Sequence, residues 1–268
     1  MSLNRIFAFS LVATVVTLSS GFPAAAESPV LRYACSNQVY KAFSEEQAKA
    51  FREESGISVE VMRGSSSASV SEVLNGRMDV ASTAQELRPD EEAQGLREFP
   101  FCVSPIALIA RAGCGIASVA KDQVPALFTD GIANWRDLGG PDLPVTVVVP
   151  SDETAAHHNF RKLVIGWRTI QHDYLAKEST GVIELVRNLP CGAVSFISYG
   201  AVMGDAEITA LAVGDLRPSD SGYPYAQTFR LVTKGEPTGP LQAFVDFSYS
   251  QTSRSIIERH GMVPLGKR

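Results

Sequence analysis

Three short segments of this sequence concentrate side chains that can donate hydrogen bonds to an anion. They are Ser36-Asn37, Ser65-Ser66-Ser67 and Ser151-Asp152-Glu153-Thr154, and each stands directly before a stretch with helical character. The first turn of a helix has N–H groups without partners and a partial positive charge of about half a unit, so a loop that opens onto it can hold an anion. We therefore expect these segments to bind a small anion if they meet in the fold.

An ordinary structural explanation exists for each segment by itself. Ser, Thr, Asn and Asp are the commonest residues at helix N-caps, where their side chains accept from the first free N–H groups. A single such segment favours capping, whereas three of them together favour a binding site. The choice between helix capping and ligand binding depends on whether the three segments meet in the fold.

The elements that position these segments read as strands alternating with helices. Val30 to Ala34 and Met78 to Ala81 have the composition of strands, and residues 57–61 alternate apolar with polar side chains. Amphipathic helices are expected between them, over residues 39–52 and 70–74. This alternation predicts an α/β fold of mainly parallel sheets flanked by helices, with ligands bound beyond the carboxyl ends of the strands.

The length of the chain suits two lobes of about a hundred residues each. Ile106 to Ala110 is wholly apolar and stands where the chain would cross into a second lobe, and Phe229 to Val232 would bring it back. We therefore expect two lobes joined by a two-segment hinge. The predicted bounds are 27–107 with 225–268 for the first lobe and 108–224 for the second.

The N-terminal residues have the features of a secretory signal peptide. Asn4-Arg5 gives a positive start, Ile6 to Leu18 is almost wholly apolar, and Ala24-Ala25-Ala26 supplies small residues for cleavage. The signal peptide is predicted at 1–26, and the mature chain is expected in the periplasm. The formal net charge of −5 gives no electrostatic basis for binding nucleic acid.

Four cysteines, Cys35, Cys102, Cys114 and Cys191, lie in the part expected to be exported. An oxidising compartment lets disulfides persist, so one or two structural disulfides are expected. Four cysteines allow three pairings, and the sequence does not choose among them. Cys35 and Cys102 are interpreted first as a disulfide and second as thiols for a soft ligand such as arsenite.

Two further residue types bear on the core and on metal binding. Trp135 and Trp167 are expected in the core or between the lobes, given the area that an indole buries. The adjacent His157 and His158 would point about 100° apart on a helix and make a poor chelate, so no metal site is predicted. If His157 lined the cleft, its protonation would make ligand affinity depend on pH near neutrality.

Several stretches, in their order along the chain, resemble the phosphate-binding subunits of ABC importers, within the type II periplasmic binding protein superfamily. The most distinctive is the stretch 127–140, in particular its block that ends at Asn134-Trp135. The other matching stretches are 64–68, 74–82, 192–198, 231–237 and 256–265. The resemblance covers nearly the whole mature chain and implies a two-lobed binding protein that carries out no catalysis.

The resemblance also implies ligand contacts at Ser36, Ser66, Thr83 and Thr154. The chain departs from the family at Gln85 and His157, where arginine is common, and neither residue reproduces the bidentate bonds that arginine gives to phosphate. With their neighbours in the same loops, the predicted ligand-binding residues are Cys35, Ser36, Asn37, Ser65, Ser66, Ser67, Thr83, Gln85, Glu153, Thr154, Ala155 and His157.

The leading hypothesis is a monomeric periplasmic protein that captures phosphate or a related oxyanion for an inner-membrane ABC permease, without a cofactor. An alternative is a sensory binding protein for another ligand, such as arsenite, that signals to a membrane histidine kinase. An exported hydrolase would need Ser151, Asp152 and His157 as catalytic residues, and no GxSxG elbow accompanies them. An adhesion protein that kept the fold and lost the pocket is a further possibility.

Overall fold

A computed structural model describes residues 29–267 of the protein. The signal peptide predicted at 1–26 lies outside these residues. Within residues 29–267, none of the helices combines the length and the apolar composition that crossing a membrane requires.

Strands and helices alternate along most of the described chain. The strands are β1 Val30–Ser36, β2 Ser58–Gly64, β3 Val80–Thr83, β4 Leu96–Arg111, β5 Ser118–Val119, β6 Thr146–Pro150, β7 Tyr174–Ala176, β8 Ala193–Ser198, β9 Ile208–Ala210, β10 Ala212–Val213, β11 Ala226–Lys234 and β12 Val263–Pro264. The helices are α1 Asn37–Val39, α2 Glu45–Ser55, α3 Ser66–Leu74, α4 Pro89–Ala93, α5 Gln123–Thr129, α6 Ala155–Leu163, α7 Gly181–Asn188, α8 Gly239–Phe247 and α9 Gln251–Arg259. A π-helical segment, Tyr40–Ser44, joins α1 to α2.

The main sheet has the strand order β2-β1-β3-β11-β4-β8-β6-β7. β1 runs parallel to β2 and β3 in one half, and β6 runs parallel to β7 and β8 in the other. β4 belongs to both halves, because it pairs with β11 over 96–105 and with β8 over 106–110. Both of these pairings are antiparallel.

Side chains from single strands alternate between two cores, one on each face of the sheet. In β1, Tyr33 and Cys35 pack with α2, α8 and α9, whereas Ala34 packs with α3. In the other half, Leu108 packs with Phe128 and Phe160, and Ile109 packs with α7. The predicted α/β fold, with parallel strands in each half and helices covering the sheet, is confirmed.

The predicted lobe bounds lie close to the places where the chain passes between the two halves of the sheet. β4 changes its partner strand between Pro105 and Ile106, and β11 begins at Ala226. The division into 27–107 with 225–268 and 108–224 stays a prediction.

The two tryptophans have different environments. Trp135 is 1% exposed and its indole Nε1 donates to the carbonyl of Gly192 at 2.9 Å, so its predicted core position is confirmed. Trp167 is 50% exposed, and the prediction that it is buried in the core or between the lobes is wrong. It follows α6 in a tight turn, where Gly166 and Trp167 both have positive φ angles, and this turn directs the indole outward onto His158.

One disulfide joins Cys114 to Cys191 in the second half of the sheet. Cys35 and Cys102 are free and buried, so the interpretation of these two as a disulfide is wrong. Cys35 lies on β1 and Cys102 on β4, with β3 and β11 between them. Three strand spacings amount to about 14 Å, roughly twice the Cα separation that a disulfide spans.

Candidate functional site

Four helices begin at one cavity of about 890 Å³. Their N-cap residues are Ser36 for α1, Ser65 for α3, Thr154 for α6 and Thr180 for α7, and all four line it. Ser36 is the last residue of β1, and the other three follow the carboxyl ends of β2, β6 and β7, so both halves of the sheet contribute. The cavity therefore collects the positive ends of helices from both halves.

Two of these hydroxyls are also occupied as helix caps. Ser65 Oγ accepts from the N–H of Ala68 at 3.1 Å. Thr154 Oγ1 accepts from the N–H of His157 at 3.3 Å and donates to the carbonyl of Ser151 at 2.7 Å. The capping explanation and the binding explanation therefore both apply, because a capped helix start still presents its first N–H groups to the cavity.

Ser36 Oγ and Gln38 Nε2 are buried in the cavity wall and have no hydrogen-bond partner among the described residues. Each residue is only 2% exposed. Buried polar side chains nearly always have a partner, because leaving one unpaired costs about 1–3 kcal/mol. A ligand in this cavity would supply the missing acceptor for both groups.

Charged side chains of both signs ring the cavity. Lys41, Arg63 and Lys177 provide the cations, and Glu45, Glu153 and Glu178 provide an equal number of carboxylates. All six residues are exposed, so they lie around the mouth and not at the buried floor.

Tyr40 holds two of these charges in place. The guanidinium of Arg63 lies 4.7 Å from the centroid of the Tyr40 ring, within the range of a cation–π contact. The Tyr40 hydroxyl donates to Glu45 Oε1, and this hydrogen bond raises the pKa of the phenol. Tyr40 therefore stays protonated and holds the Glu45 carboxylate through this hydrogen bond.

Seven of the predicted site residues line the cavity, and five do not. The seven are Ser36, Asn37, Ser65, Ser66, Glu153, Thr154 and Ala155. The others are Cys35, Ser67, Thr83, Gln85 and His157. A role of the first group in binding stays a prediction.

The residues outside the cavity wall have local partners. Cys35 Sγ lies 3.1 Å from Ser44 Oγ beneath the first loop, and Ser67 Oγ lies 3.2 Å from Ser65 Oγ on the exposed side of α3. Thr83 Oγ1 accepts from the N–H of Gln85 at 2.9 Å and so closes the turn after β3.

His157 does not line the cavity. Its Nδ1 lies 2.9 Å from the carbonyl of Pro150, which can only accept, so the imidazole carries its proton on Nδ1. Burial lowers the pKa of His157, which keeps the ring neutral. Ser151 Oγ accepts from the N–H of Glu153 at 3.4 Å, so neither group has the arrangement that a hydrolytic triad requires.

One segment that lines the cavity before α7, Lys177-Glu178-Ser179-Thr180, is not among the predicted site residues. Its signal was present, since two hydroxyl residues and Gly181 precede the apolar Val182-Ile183. The strand before it, β7, has only three residues and shows no periodicity. Gln38, Tyr40, Lys41, Glu45, Arg63 and Gly64 were also missed.

Comparison with known proteins places this geometry in a family. A family model described as a PBP superfamily domain matches residues 22–252. The chain is similar to the phosphate-binding protein PstS of Bacillus subtilis (strain 168), with 25% identity over 227 residues, 81% of this chain and 75% of the relative.

Solved structures show the same fold. A protein described as a phosphate ABC transporter substrate-binding protein with bound phosphate, from Clostridium perfringens, matches 88% of this chain and 99% of its own, with 23% identity and a TM-score of 0.78. An ABC-type phosphate transport receptor from Vibrio cholerae matches 88% of this chain and 100% of its own, with 21% identity and a TM-score of 0.67.

Proposed function

We propose, from the premise that the chain belongs to the PBP superfamily, that it is an exported binding protein that captures a small oxyanion. Phosphate is the first candidate ligand, because the relative from Bacillus subtilis is named a phosphate-binding protein. The single observation that carries the proposal is the pair of unpartnered buried donors, Ser36 Oγ and Gln38 Nε2, in a cavity where four helices begin. An oxyanion accepts from such donors and is stabilised by the helix N-termini.

The positive charge for such a ligand comes from positions other than those of the family's arginines. Gln85 and His157 stand at the departures from the family pattern, and both lie outside the cavity wall. Arg63, Lys41 and Lys177 line the cavity and compensate for them. Arg63 retains the bidentate geometry that suits a phosphate group.

The carboxylates of the cavity favour an oxyanion that carries a hydroxyl. Glu153 and Glu178 repel a fully ionised anion and accept a hydrogen bond from a protonated one. Hydrogen phosphate and hydrogen arsenate carry such a proton at neutral pH, and sulfate carries none. We therefore expect phosphate and arsenate to bind more tightly than sulfate.

Isothermal titration calorimetry and thermal unfolding with phosphate, arsenate, sulfate, molybdate and arsenite test the proposal. A ligand present at a hundred times its dissociation constant adds about 2.7 kcal/mol to the free energy of unfolding. Stabilisation by phosphate or arsenate is expected. The absence of heat and of stabilisation with every oxyanion would contradict oxyanion capture, and a response to arsenite alone would favour the soft-ligand alternative.

The proposed partner is an inner-membrane ABC permease, and the proposed location is the periplasm. Mass spectrometry of the protein from a periplasmic extract should give a mature N-terminus at about residue 27, as the leader predicts. Loss of uptake of labelled phosphate on deletion of the gene supports the permease. Unchanged uptake with a changed transcriptional response to the ligand would instead identify a sensor kinase as the partner. Size-exclusion chromatography tests the proposed monomer.

A further inference from the structure

A chain of three buried side-chain amides leads from the cavity to the opposite half of the molecule. Gln38 Oε1 accepts from Gln227 Nε2 at 3.1 Å, and Gln227 Oε1 accepts from Asn159 Nδ2 at 2.7 Å. Asn159 Nδ2 also donates to the backbone carbonyl of Ala84 at 2.7 Å. We propose that Gln227 and Asn159 are positioning residues that fix Gln38 as a hydrogen-bond donor to the ligand; this rests on the proposed function.

The direction of the hydrogen bonds among the three amides is set at Asn159, the amide farthest from Gln38 in this series. The carbonyl of Ala84 can only accept, so Asn159 must present its NH₂ group there. The same nitrogen donates to Gln227, which must therefore present its oxygen to Asn159 and its nitrogen to Gln38. Gln38 must then use its oxygen as the acceptor, and only its NH₂ group is left to face the cavity.

Burial makes this polarity persistent. Gln38, Gln227 and Asn159 are 2%, 4% and 5% exposed, so bulk water cannot replace a lost partner. A reversed amide would place oxygen against oxygen at one link and leave buried groups unpaired, which is costly in a region of low dielectric. Gln38 Nε2 in the cavity wall is the last donor in this series of amides, and no group among the described residues accepts from it.

The three residues come from elements that meet where the chain passes between the halves. Gln38 lies in α1 of one half, Gln227 in the crossing strand β11, and Asn159 in α6 of the other half. α6 also begins at the cavity with Thr154. The orientation of one ligand donor in the first half therefore depends on a helix of the second half.

Calorimetry with phosphate on three variants tests the positioning role. Gln38→Met removes the donor and should lower affinity about tenfold or more, as expected for a hydrogen bond to a charged group. Gln227→Met does not alter the cavity wall, yet it frees the Gln38 amide to reverse and should lower affinity about three- to tenfold. In the Gln38→Met background, Gln227→Met should cause no further loss, because the donor that it orients is gone.

Two results would overturn the inference. One is phosphate binding by Gln227→Met equal to that of the wild type. The other is an additive loss in the double variant, which would mean that Gln227 acts on the ligand without Gln38. Asn188→Ala, on the exposed side of α7 where the amide donates to the carbonyl of Glu184, is a matched control that should bind as the wild type does.

A ligand-free measurement separates this inference from the proposed function. In side-chain amide NMR spectra of the ligand-free, full mature protein, the NH₂ protons of Gln227 and Asn159 should have the downfield shifts of hydrogen-bonded amides, and those of Gln38 should not. Hydrogen-bonded shifts for the Gln38 protons would show that its nitrogen is bonded within the protein and would overturn the inference. Absence of phosphate binding by a wild type with the expected pattern of shifts would count against the proposed function instead.

Discussion

Asn37 Nδ2 donates to Glu178 Oε2 at 3.2 Å, and this hydrogen bond spans the cavity. Asn37 is the first residue of α1, and Glu178 lies in the loop between β7 and α7, in the other half of the sheet. An exposed contact of this kind contributes at most about 1 kcal/mol, so it links the two sides of the cavity only weakly. It also leaves the second oxygen of Glu178 available to a ligand.

Glu178→Gln should reduce the discrimination between phosphate and sulfate. The substitution keeps an acceptor for Asn37, removes the negative charge that repels sulfate, and weakens the acceptor for a ligand hydroxyl. We expect the affinity for sulfate to rise about two- to tenfold, the range for one charge near a protein surface, while that for phosphate does not rise. Calorimetry with both anions at one ionic strength measures the ratio.

Glu92→Gln is the matched control, since Glu92 is exposed in the first turn of α4 and outside the cavity wall. It changes net charge by the same amount and should leave the ratio unchanged. An equal rise for both anions in Glu178→Gln would show that its carboxylate acts only through charge and would contradict its role as an acceptor.

Arg63→Gln should weaken oxyanion binding about tenfold or more, because it removes a charged donor at the mouth of the cavity. The salt dependence of the affinity should also become shallower, since a screened charge is gone. Titrations at two salt concentrations give both quantities. Arg97→Gln, at an exposed position on β4 where the guanidinium faces Glu236, should change neither. An unchanged affinity in Arg63→Gln would exclude this residue from the site.

His157 should influence stability and not ligand affinity in mildly acidic solution. Burial lowers its pKa from the ordinary value of 6.5, so the unfolded chain takes up the proton first as the pH falls. The contribution of His157 to stability is therefore complete above about pH 6.5 and decreases below it, by at most about 1.4 kcal/mol per pH unit.

His157→Asn keeps a donor for the carbonyl of Pro150 and cannot take up the proton. Urea unfolding between pH 5 and 8 should show a shallower loss of stability in this variant than in the wild type. The reason is that unfolding of the variant takes up about one proton fewer. Phosphate affinity in the two proteins should follow the same pH profile. If the phosphate affinity of the wild type depended on pH and that of His157→Asn did not, His157 would belong to the binding site.

Loss of the Cys114–Cys191 disulfide should lower the free energy of unfolding by about 2–4 kcal/mol, because the bond closes a long loop in the unfolded chain. The two residues are 77 positions apart. Urea unfolding of Cys114→Ser/Cys191→Ser against the oxidised wild type measures the difference.

Thiol labelling tests whether Cys114 and Cys191 form the disulfide and Cys35 and Cys102 are free. The native protein should resist alkylation, and burial raises the pKa of both Cys35 and Cys102, so neither supplies a ready thiolate. The protein unfolded without reductant should take up label at Cys35 and Cys102 only. Labelling at Cys114 or Cys191 under those conditions would contradict the disulfide.

The parts of the fold that sequence reasoning located are those with clear periodicity. Residues 57–61, which alternate apolar with polar side chains, are predicted as a strand, and β2 spans Ser58–Gly64. The first part of β4 was missed, because Pro100 and Pro105 interrupt a pattern that a strand would otherwise show. The structure accommodates Pro100 beside a register shift in the β4–β11 pairing, where Phe101 of β4 has no partner between Phe229 and Arg230.

The candidate site was only partly predictable for a similar reason. Ser36, Ser65 and Thr154 stand at helix starts, so local chemistry was enough to find them. Arg63 and Lys177 are single charged residues at strand ends, and nothing near them in the chain distinguishes them from surface charges. Their meeting at one cavity follows from the order of strands in the sheet, which composition does not specify.

The position of β11 between β3 and β4 has a consequence for the biogenesis of the protein. β3 and β4 follow each other along the chain, yet they can be joined into one sheet only after residues 226–234 have been inserted between them. A nascent chain that has emerged as far as β10 can already form the pairs of β4, β6, β7, β8 and β9, whereas the N-terminal segment still lacks its central strand. The middle of the polypeptide can therefore mature first, and a chain that lacks its last forty or so residues would display an open strand edge to chaperones and proteases.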